Sequence, residues 1–454
     1  MKEKYVLIGA GSAMFTRGLV ADIIRRKQEV DLALVDVDSK ALVVAKGLAR
    51  KMIEAKSAPI TLSASTDRRD VLKGATAIIC TVGVGGRRAW EQDVLIPRKY
   101  GIFQPVGDSV LPGGTSRALR MIPAMVAVAK DVLALAPEAL FFNYGNPMAA
   151  VCRGVRKATG ANMVGLCHGV HHVALELASA LGVERAQLSY TAVGMNHFTW
   201  FTEVRVDGED ARPRLQEVAA EKLAKVPEGN ALGQRFAEAG NAPINAQEHN
   251  PFSWQLLQLF GGFPACLDRH VMEFFPQCFR DERSYWGRTP GVDCYSIEDT
   301  IANGDRIYKE MSHLATSRDP LPKNYFRQFS GEHEQVIEIV DGIRTGAARI
   351  YSVNLPNRGQ VPHLPAEAIL ESPAVTTPGG LRALVQPPLP SAMVGALATR
   401  LAWVETTVEA ALEGDRTKFI QALVLDGAVP SAAVAAKLAD ELLSAQAAYL
   451  PQFA

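Results

Sequence analysis

Long apolar runs are missing from this chain. None reaches the roughly 18 residues that a membrane-spanning helix needs, so no membrane partner is expected. Net charge is missing as well: 48 Lys plus Arg balance 48 Asp plus Glu. That excludes the basic footprint of a nucleic-acid binder and the acidic excess of a solvating tail. Cysteine is scarce and scattered, at Cys80, Cys152, Cys167, Cys266, Cys278 and Cys294, with no CxxC pair. A disulfide framework is thereby excluded, and a reduced, cytoplasmic protein is expected. Internal repeats, low-complexity tracts and flexible linkers are absent. Met1-Lys2-Glu3-Lys4 leads straight into an apolar strand pattern, so no secretory signal is expected. At 454 residues the chain is too long for one simple core. Two welded units with a site in the crevice between them are expected.

What is present begins with a short apolar run from Tyr5 to Ile8 that ends in Gly9-Ala10-Gly11-Ser12. A helical pattern follows from about Thr16 to Arg26, with Leu19, Ile23 and Ile24 on one face. Strand, glycine-rich turn and helix open a dinucleotide-binding unit, in which the glycines let the backbone approach a pyrophosphate. The next strand, Leu32 to Val35, ends in Asp36. A carboxylate there accepts both ribose hydroxyls of an adenosine, which favours NAD over NADP. Met14 stands where a third Gly or Ala is usual, so looser helix–strand packing is expected. A third strand candidate, Ala77 to Thr81, runs into a second glycine-rich loop at Gly83, Gly85 and Gly86, followed by Arg87 and Arg88. Those arginines are either solvated surface charges or partners of an anion. A charged helical stretch continues to Tyr100. Gly107 to Ser116 reads as a loop, and Arg117 to Leu135 as a helix interrupted or started late by Pro123.

The strand Leu140-Phe141-Phe142 ends in Asn143-Tyr144-Gly145-Asn146-Pro147. Proline biases Asn146 to an extended or turn conformation, where its amide either shapes the turn or meets a ribose or substrate hydroxyl. The stretch from Asn162 to His197 holds Cys167-His168-Gly169 at one end and Asn196-His197 at the other. Thiolate and imidazole are both ligands for a divalent metal, and two protein ligands leave open positions for chemistry. The alternative is a buried cysteine and a packed core histidine. His171 and His172 open a helix pattern and carry no assigned role. Beyond His197 the chain changes character. Trp200 to Val206 alternates like a strand, Gln216 to Lys225 reads as a polar helix, and 229–250 looks partly irregular. Pro264 to Phe279 contains Asp268, His270 and Glu273. Short strands are expected at Arg349 to Leu355, Gly359 to Pro362 and Ala374 to Thr377. The Ala-rich last 60 or so residues read as helical.

GAGS, NYGNPM, LCHG and GMNH, in that order, resemble the NAD- and divalent-metal-dependent family 4 glycoside hydrolases. Pro97-Arg98-Lys99-Tyr100-Gly101, GGTSRALRMIP, Ser330-Gly331-Glu332 and Asn354-Leu355-Pro356-Asn357-Arg358-Gly359 extend the likeness over nearly the whole chain. The resemblance implies an α/β fold: an N-terminal Rossmann domain like that of lactate and malate dehydrogenases, here 1–195, and a C-terminal α+β domain, here 196–454. It also implies a homodimer or homotetramer. The chain departs from the family in two places. His168 stands where members acting on 6-phosphorylated sugars carry Asp, and Phe103 to Asp108 replaces a GQET-like segment. No counterpart of the tyrosine proposed as base in some members is evident.

The mechanism implied is oxidation at C3 of the sugar by NAD, which makes the C2 proton acidic. Removal of that proton, with a metal ion as Lewis acid, then expels the glycosidic oxygen from C1. On this reading Cys167 and His197 hold the metal, Mn2+ by resemblance. Gly9, Gly11, Ser12, Asp36, Gly83 and Asn146 bind NAD. His168 is the candidate leaving-group acid, and Asp268 the candidate base. Arg87, Arg88, Asn146, His168, Asn196 and His270 contact the substrate, with Arg117 a further partner for an anionic group; Glu273 is structural. The expected substrate is an unphosphorylated α-glycoside, first an α-galacturonide or α-glucuronide, then a neutral α-glucoside or α-galactoside, or a sulfonated sugar. A 2-hydroxyacid dehydrogenase and a non-catalytic NAD sensor are the competing classes.

Overall fold

The computed structural model describes residues 2–225, 250–279, 297–329 and 335–454. Cys294, the Ser330-Gly331-Glu332 segment and nearly all of the irregular 229–250 stretch lie outside these residues. Six strands form the parallel part of the sheet: β1 (Glu3–Ile8), β2 (Val30–Val35), β3 (Ile60–Ser65), β4 (Ala77–Cys80), β5 (Leu140–Asn143) and β6 (Met163–Gly165). They lie in the order β3-β2-β1-β4-β5-β6, the doubly wound arrangement of a Rossmann unit. Runs such as YVLI and AIIC suit strands covered on both faces, and Tyr5 to Ile8 and Ala77 to Cys80 are buried. The strand order reverses at β1 and β4, and a crevice opens there at the carboxyl ends of the strands.

The sheet does not stop at β6. The remaining strands are β7 (Leu188–Met195), β8 (Phe198–Val206), β9 (Glu209–Asp210), β10 (Phe263–Pro264), β11 (Ile350–Pro356), β12 (Ile369–Thr377) and β13 (Gly380–Ala383). β11 joins β6 antiparallel through Asn354 and Gly165, β12 joins β11, and β7 joins β12 through Gly194 and Glu371. The expected α/β fold, a Rossmann half and a mixed α+β half, is therefore one continuous sheet. The division expected at 195/196 falls inside the β7–β8 hairpin, in the turn that carries Asn196 and His197. The Ser391–Glu413 helix packs back onto the Leu111–Leu135 and Met148–Thr159 helices. Trp403 and Leu397 thus share a core with Ile122 and Met125. No helix among the described residues is long and apolar enough to cross a membrane.

Several local expectations are corrected. β3, with sequence ITLSAS, gives no apolar run in the sequence, because Thr61, Ser63 and Ser65 alternate along it as polar residues, the first two exposed; the strand from Ala77 is therefore the fourth. Only the first part of Gly107 to Ser116 is loop, since the helix starts at Leu111 and runs unbroken to Leu135. Pro123 sits inside that helix and cannot donate to the Leu119 carbonyl one turn back. Gln452 Nε2 fills the gap, donating to that oxygen at 2.8 Å. Pro97 frees the Asp93 carbonyl in the same way, and Gln104 Nε2 donates there at 3.2 Å. Met14 precedes the Thr16–Arg25 helix and is 62% exposed, so it does not loosen the helix against β1. Gly359 to Pro362 forms a turn, not a strand: Gly359 has φ +100° and the Asn357 side chain bonds the Val361 and Leu364 carbonyls.

Candidate active site

The β1 turn is shaped by absent side chains. Gly9 has φ +90°, and a Cβ there would lie 2.8 Å from the backbone of Thr81 and Val82 at the end of β4. A Cβ on Gly11 would meet Asp36 Oδ2 at 2.8 Å. The Gly11 amide instead donates to that carboxylate at 2.7 Å. Ser12 Oγ accepts from the Phe15 amide at 3.3 Å as the helix begins. Gly83 follows β4, and a Cβ there would lie 3.6 Å from the Arg117 guanidinium. Gly9, Gly11, Ser12, Asp36 and Gly83 are thus gathered at the carboxyl ends of β1, β2 and β4, the bare Gly9 letting the β1 turn close on the β4 backbone.

The opposite wall holds the metal-capable side chains. Asp108, His197 and His270 offer ligand atoms that all lie within 4.8 Å of one another, the one such group of three among the described residues. Each is delivered by a constrained backbone. Glu273 Oε1 accepts from the Val106 and Gly107 amides at 2.9 and 2.8 Å and so fixes the loop before Asp108. His197 holds the β7–β8 turn at φ +62°, a left-handed conformation that costs a non-glycine residue about 1–2 kcal/mol. His270 lies on the short Asp268–Val271 helix, its ring centroid 4.1 Å from that of His197.

A hydrogen-bond chain decides which nitrogen of His197 is available. Ser109 Oγ lies 2.6 Å from Asp108 Oδ1 and 2.7 Å from His197 Nδ1. Burial raises the Asp108 carboxyl, but any charge on the His197 and His270 rings, the Arg117 guanidinium and the Ser109 hydroxyl outweigh it and hold it below the ordinary value; with both rings neutral, Arg117 and Ser109 still favour the carboxylate. Asp108 is therefore an acceptor only, and the single Ser109 proton goes to it. His197 Nδ1 must then carry a proton and donate to Ser109, which leaves the lone pair on Nε2. Burial also keeps the His197 and His270 rings neutral by lowering their pKa. A carboxylate and two neutral imidazoles suit a divalent transition metal.

Asn146 lies between this cluster and Arg117. Its Nδ2 donates to Asp108 Oδ2 at 2.9 Å, its carbonyl accepts from Arg117 Nε at 3.0 Å, and its buried Oδ1 has no partner. Arg117 lies over the Trp90 ring at 5.9 Å. Cys167 is outside the three-residue cluster. Its thiol accepts from the Gly169 amide at 3.3 Å, and a Cβ on Gly169 would touch both Cys167 Sγ and Cys266 Sγ. His168 is exposed at the start of the Gly169–Leu181 helix, near enough to act electrostatically on His270. Asn196 is buried beside Glu371, its amide atoms lacking a well-formed hydrogen bond.

Two sequence assignments are corrected. Asp268 is fully buried, and its carboxylate accepts from the Phe252 amide at 3.0 Å and from the Ser253 amide and hydroxyl at 2.8 and 2.7 Å. It caps the Pro251–Phe260 helix instead of facing the crevice as a base. Arg87 and Arg88 are not free for a substrate anion, because both pair with Asp305 and Arg87 also lies over the Tyr308 ring. Asp108 and Ser109 escaped sequence reasoning, since one carboxylate in a Gly- and Pro-rich loop carries no spacing signal. Glu273 is structural, as expected.

Comparison with known proteins decides the family. Residues 4–183 match the family 4 glycosyl hydrolase model and residues 192–429 the model of that family's C-terminal domain. The chain belongs to the family 4 glycosyl hydrolases. This hydrolase is 32% identical to an alpha-galactosidase of Rhizobium meliloti, over 99% of its own length and 90% of the relative's. It is 29% identical to an alpha-glucosidase of Erwinia rhapontici, with 99% of both chains covered. It is 28% identical to an alpha-galacturonidase of Bacillus subtilis, over 93% and 92%. Among solved structures, a 6-phospho-alpha-glucosidase from gut microorganisms in complex with NAD and Mn2+ superposes with a TM-score of 0.84 at 18% identity, covering all of both chains.

Proposed function

We propose that this hydrolase cleaves an unphosphorylated α-glycoside with NAD and a divalent ion, Mn2+ first, in the crevice between the two walls. The observation that carries the reading is the link from the metal-capable cluster to the end of β4: Asn146 donates to Asp108, and its carbonyl accepts from Arg117, whose guanidinium lies beside Gly83. When bound, NAD supplies a hydride acceptor and donor for C3 and the ion supplies a Lewis acid at the sugar oxygens. Gly9, Gly11, Ser12 and Gly83 accommodate the pyrophosphate side, and Asp36 accepts from the ribose hydroxyls. His197 Nε2 and Asp108 hold the ion, with Cys167 the further donor that the sequence points to. Asn146 Oδ1, lacking a protein partner, accepts from a sugar or ribose hydroxyl. His270 Nδ1 is buried and unpartnered. We assign to it the proton from C2, in place of Asp268. His168, on the exposed rim, delivers a proton to the departing glycosidic oxygen.

With Arg87 and Arg88 engaged by Asp305, a neutral α-galactoside or α-glucoside is the primary substrate class. An α-uronide is the second reading, carried by Arg117 beside Asn146. The test is turnover of p-nitrophenyl α-glycosides and α-uronides with and without NAD and Mn2+, using substrates deuterated at C2. Release of sugar, washout of the label and no net NADH are expected. Retention of the label would sink the elimination scheme. Accumulation of NADH in step with product would point instead to a dehydrogenase.

A further inference from the structure

Below the β7–β8 turn lies a carboxyl group that the mechanism does not use. Glu371 stands on β12 opposite Gly194 of β7, and it is 2% exposed. Thr199 Oγ1 lies 2.7 Å from Glu371 Oε2 and 2.9 Å from the Met195 carbonyl oxygen. Thr199 has one hydroxyl proton, and the carbonyl only accepts. If Glu371 were ionised, one of these two short contacts would set lone pair against lone pair. If Glu371 carries the proton, the chain closes: Glu371 donates to Thr199, and Thr199 donates to Met195. Among the described residues no cation pairs with Glu371, and burial alone pushes its carboxyl up to about 7 against the pull of Thr199, Asn196 and Asn354.

The chain ends on the turn that needs support. Met195 and Thr199 flank Asn196 and His197, and His197 is held at φ +62°. Gly194 lets the arrangement close, because a Cβ there would lie 2.3 Å from the Phe198 carbonyl oxygen. We propose that Glu371, as a neutral carboxylic acid, is a positioning residue that clamps the Met195 to Thr199 turn and thereby aims His197 at the metal. The last clause rests on the function proposed above; the clamp itself does not.

Two readouts on the full chain separate them. In metal-free protein, deuterium exchange at the amides of Met195 to Thr199 should quicken about tenfold in Glu371→Ala and in Thr199→Val, and stay at the wild-type rate in Glu371→Gln. In Mn2+ titrations followed by electron paramagnetic resonance, the first two variants should bind about tenfold or more weakly, while Glu371→Gln stays close to wild type. A Gln variant that behaves like the Ala variant would show that charge is required and overturn the proposal. Unchanged exchange and affinity in both Glu371→Ala and Thr199→Val would overturn it too. If Glu371→Ala does not fold, the Gln and Val variants decide by the same readouts. If wild type takes up no Mn2+ while the exchange pattern holds, the metal reading fails and the clamp stands.

Discussion

The two walls of the crevice are built in opposite ways. The nucleotide wall is local: one strand, one turn, one helix and the next strand bring Gly9, Gly11, Ser12 and Asp36 together within the first 36 residues. The metal wall is assembled from three distant segments, the loop at Asp108, the hairpin turn at His197 and the short helix at His270. Two of those segments are held by buried groups that lie elsewhere in the chain, Glu273 for the first and Glu371 for the second. The local wall depends on what its residues lack, a Cβ. The assembled wall depends on hydrogen bonds that must all close together. Damage should therefore show as steric exclusion on one side and as graded loss of ligand geometry on the other.

The largest break is expected at His197 itself. His197→Ala removes the donor whose tautomer the Asp108–Ser109 chain sets, and Mn2+ affinity should fall by more than the roughly 10–100-fold seen for outer-shell partners. Titration of Mn2+ into the purified protein measures it, and NAD affinity should stay unchanged. On the other wall Gly9→Ala places a methyl group against the Thr81 and Val82 backbone at positive φ. It should weaken NAD binding at least tenfold by calorimetry, with stability falling by about 1–2 kcal/mol, and should leave Mn2+ binding alone. Equal loss of both ligands in either variant would contradict two separately built walls.

This contrast also explains what the sequence could show. The Gly9 turn, Asp36, the apolar parallel strands β1, β2, β4 and β5 and the C-terminal helices are legible because local periodicity and glycine placement dictate them. Cys167, His197 and Asn146 were noticed through their neighbours in sequence. Asp108 was not, since its meaning comes from Ser109 and from a histidine hairpin far along the chain. Asp268 misled for the converse reason: a carboxylate two residues before a histidine looks catalytic until Phe252 and Ser253 are seen to occupy both its oxygens. β3 was passed over because its outward residues are polar. Convergence of distant loops is a tertiary fact that no window of sequence contains.

Smaller effects sharpen the comparison. Ser109→Ala frees Nδ1 of His197 from its partner and should weaken Mn2+ binding about tenfold, an outer-shell effect. Its signature is a smaller loss than His197→Ala with NAD affinity untouched. Asp268→Asn should cost about 1–3 kcal/mol of stability by leaving a cap donor poorly matched, read as a lower thermal midpoint, while kcat stays near wild type. A collapse of kcat in a folded Asp268→Asn protein would restore it as the base.

The smallest expected effect is a slope. Burial lifts Glu273 to about 8 in spite of the Gly107 and Val106 amides that favour its charged form, against about 4.3 in an unfolded chain. Below the unfolded value both states carry the proton, and this contribution to stability is fully present. Between about 4.3 and 8 the unfolded chain ionises while the folded one keeps its proton, so stability declines as pH rises. Above about 8 the decline is complete. Asp426, lifted by burial to about 7, adds a change of the same sign over a narrower window. The buried His197 and His270, lowered from an ordinary 6.5, work in the opposite sense below that value, where the unfolded rings take up protons and the folded ones do not; the thermal midpoint should therefore fall between about pH 6.5 and 8.5. Glu273→Gln keeps a carbonyl oxygen for the Val106 and Gly107 amides and removes one titrating group. Its amide would face the spot where Glu273 Oε2 has no partner, so its absolute midpoint is a poor guide and the pH slope is the quantity to read. A slope as steep as wild type would mean that Glu273 is already ionised in the folded protein. The loop that presents Asp108 would then be held by charge instead of by a neutral acid.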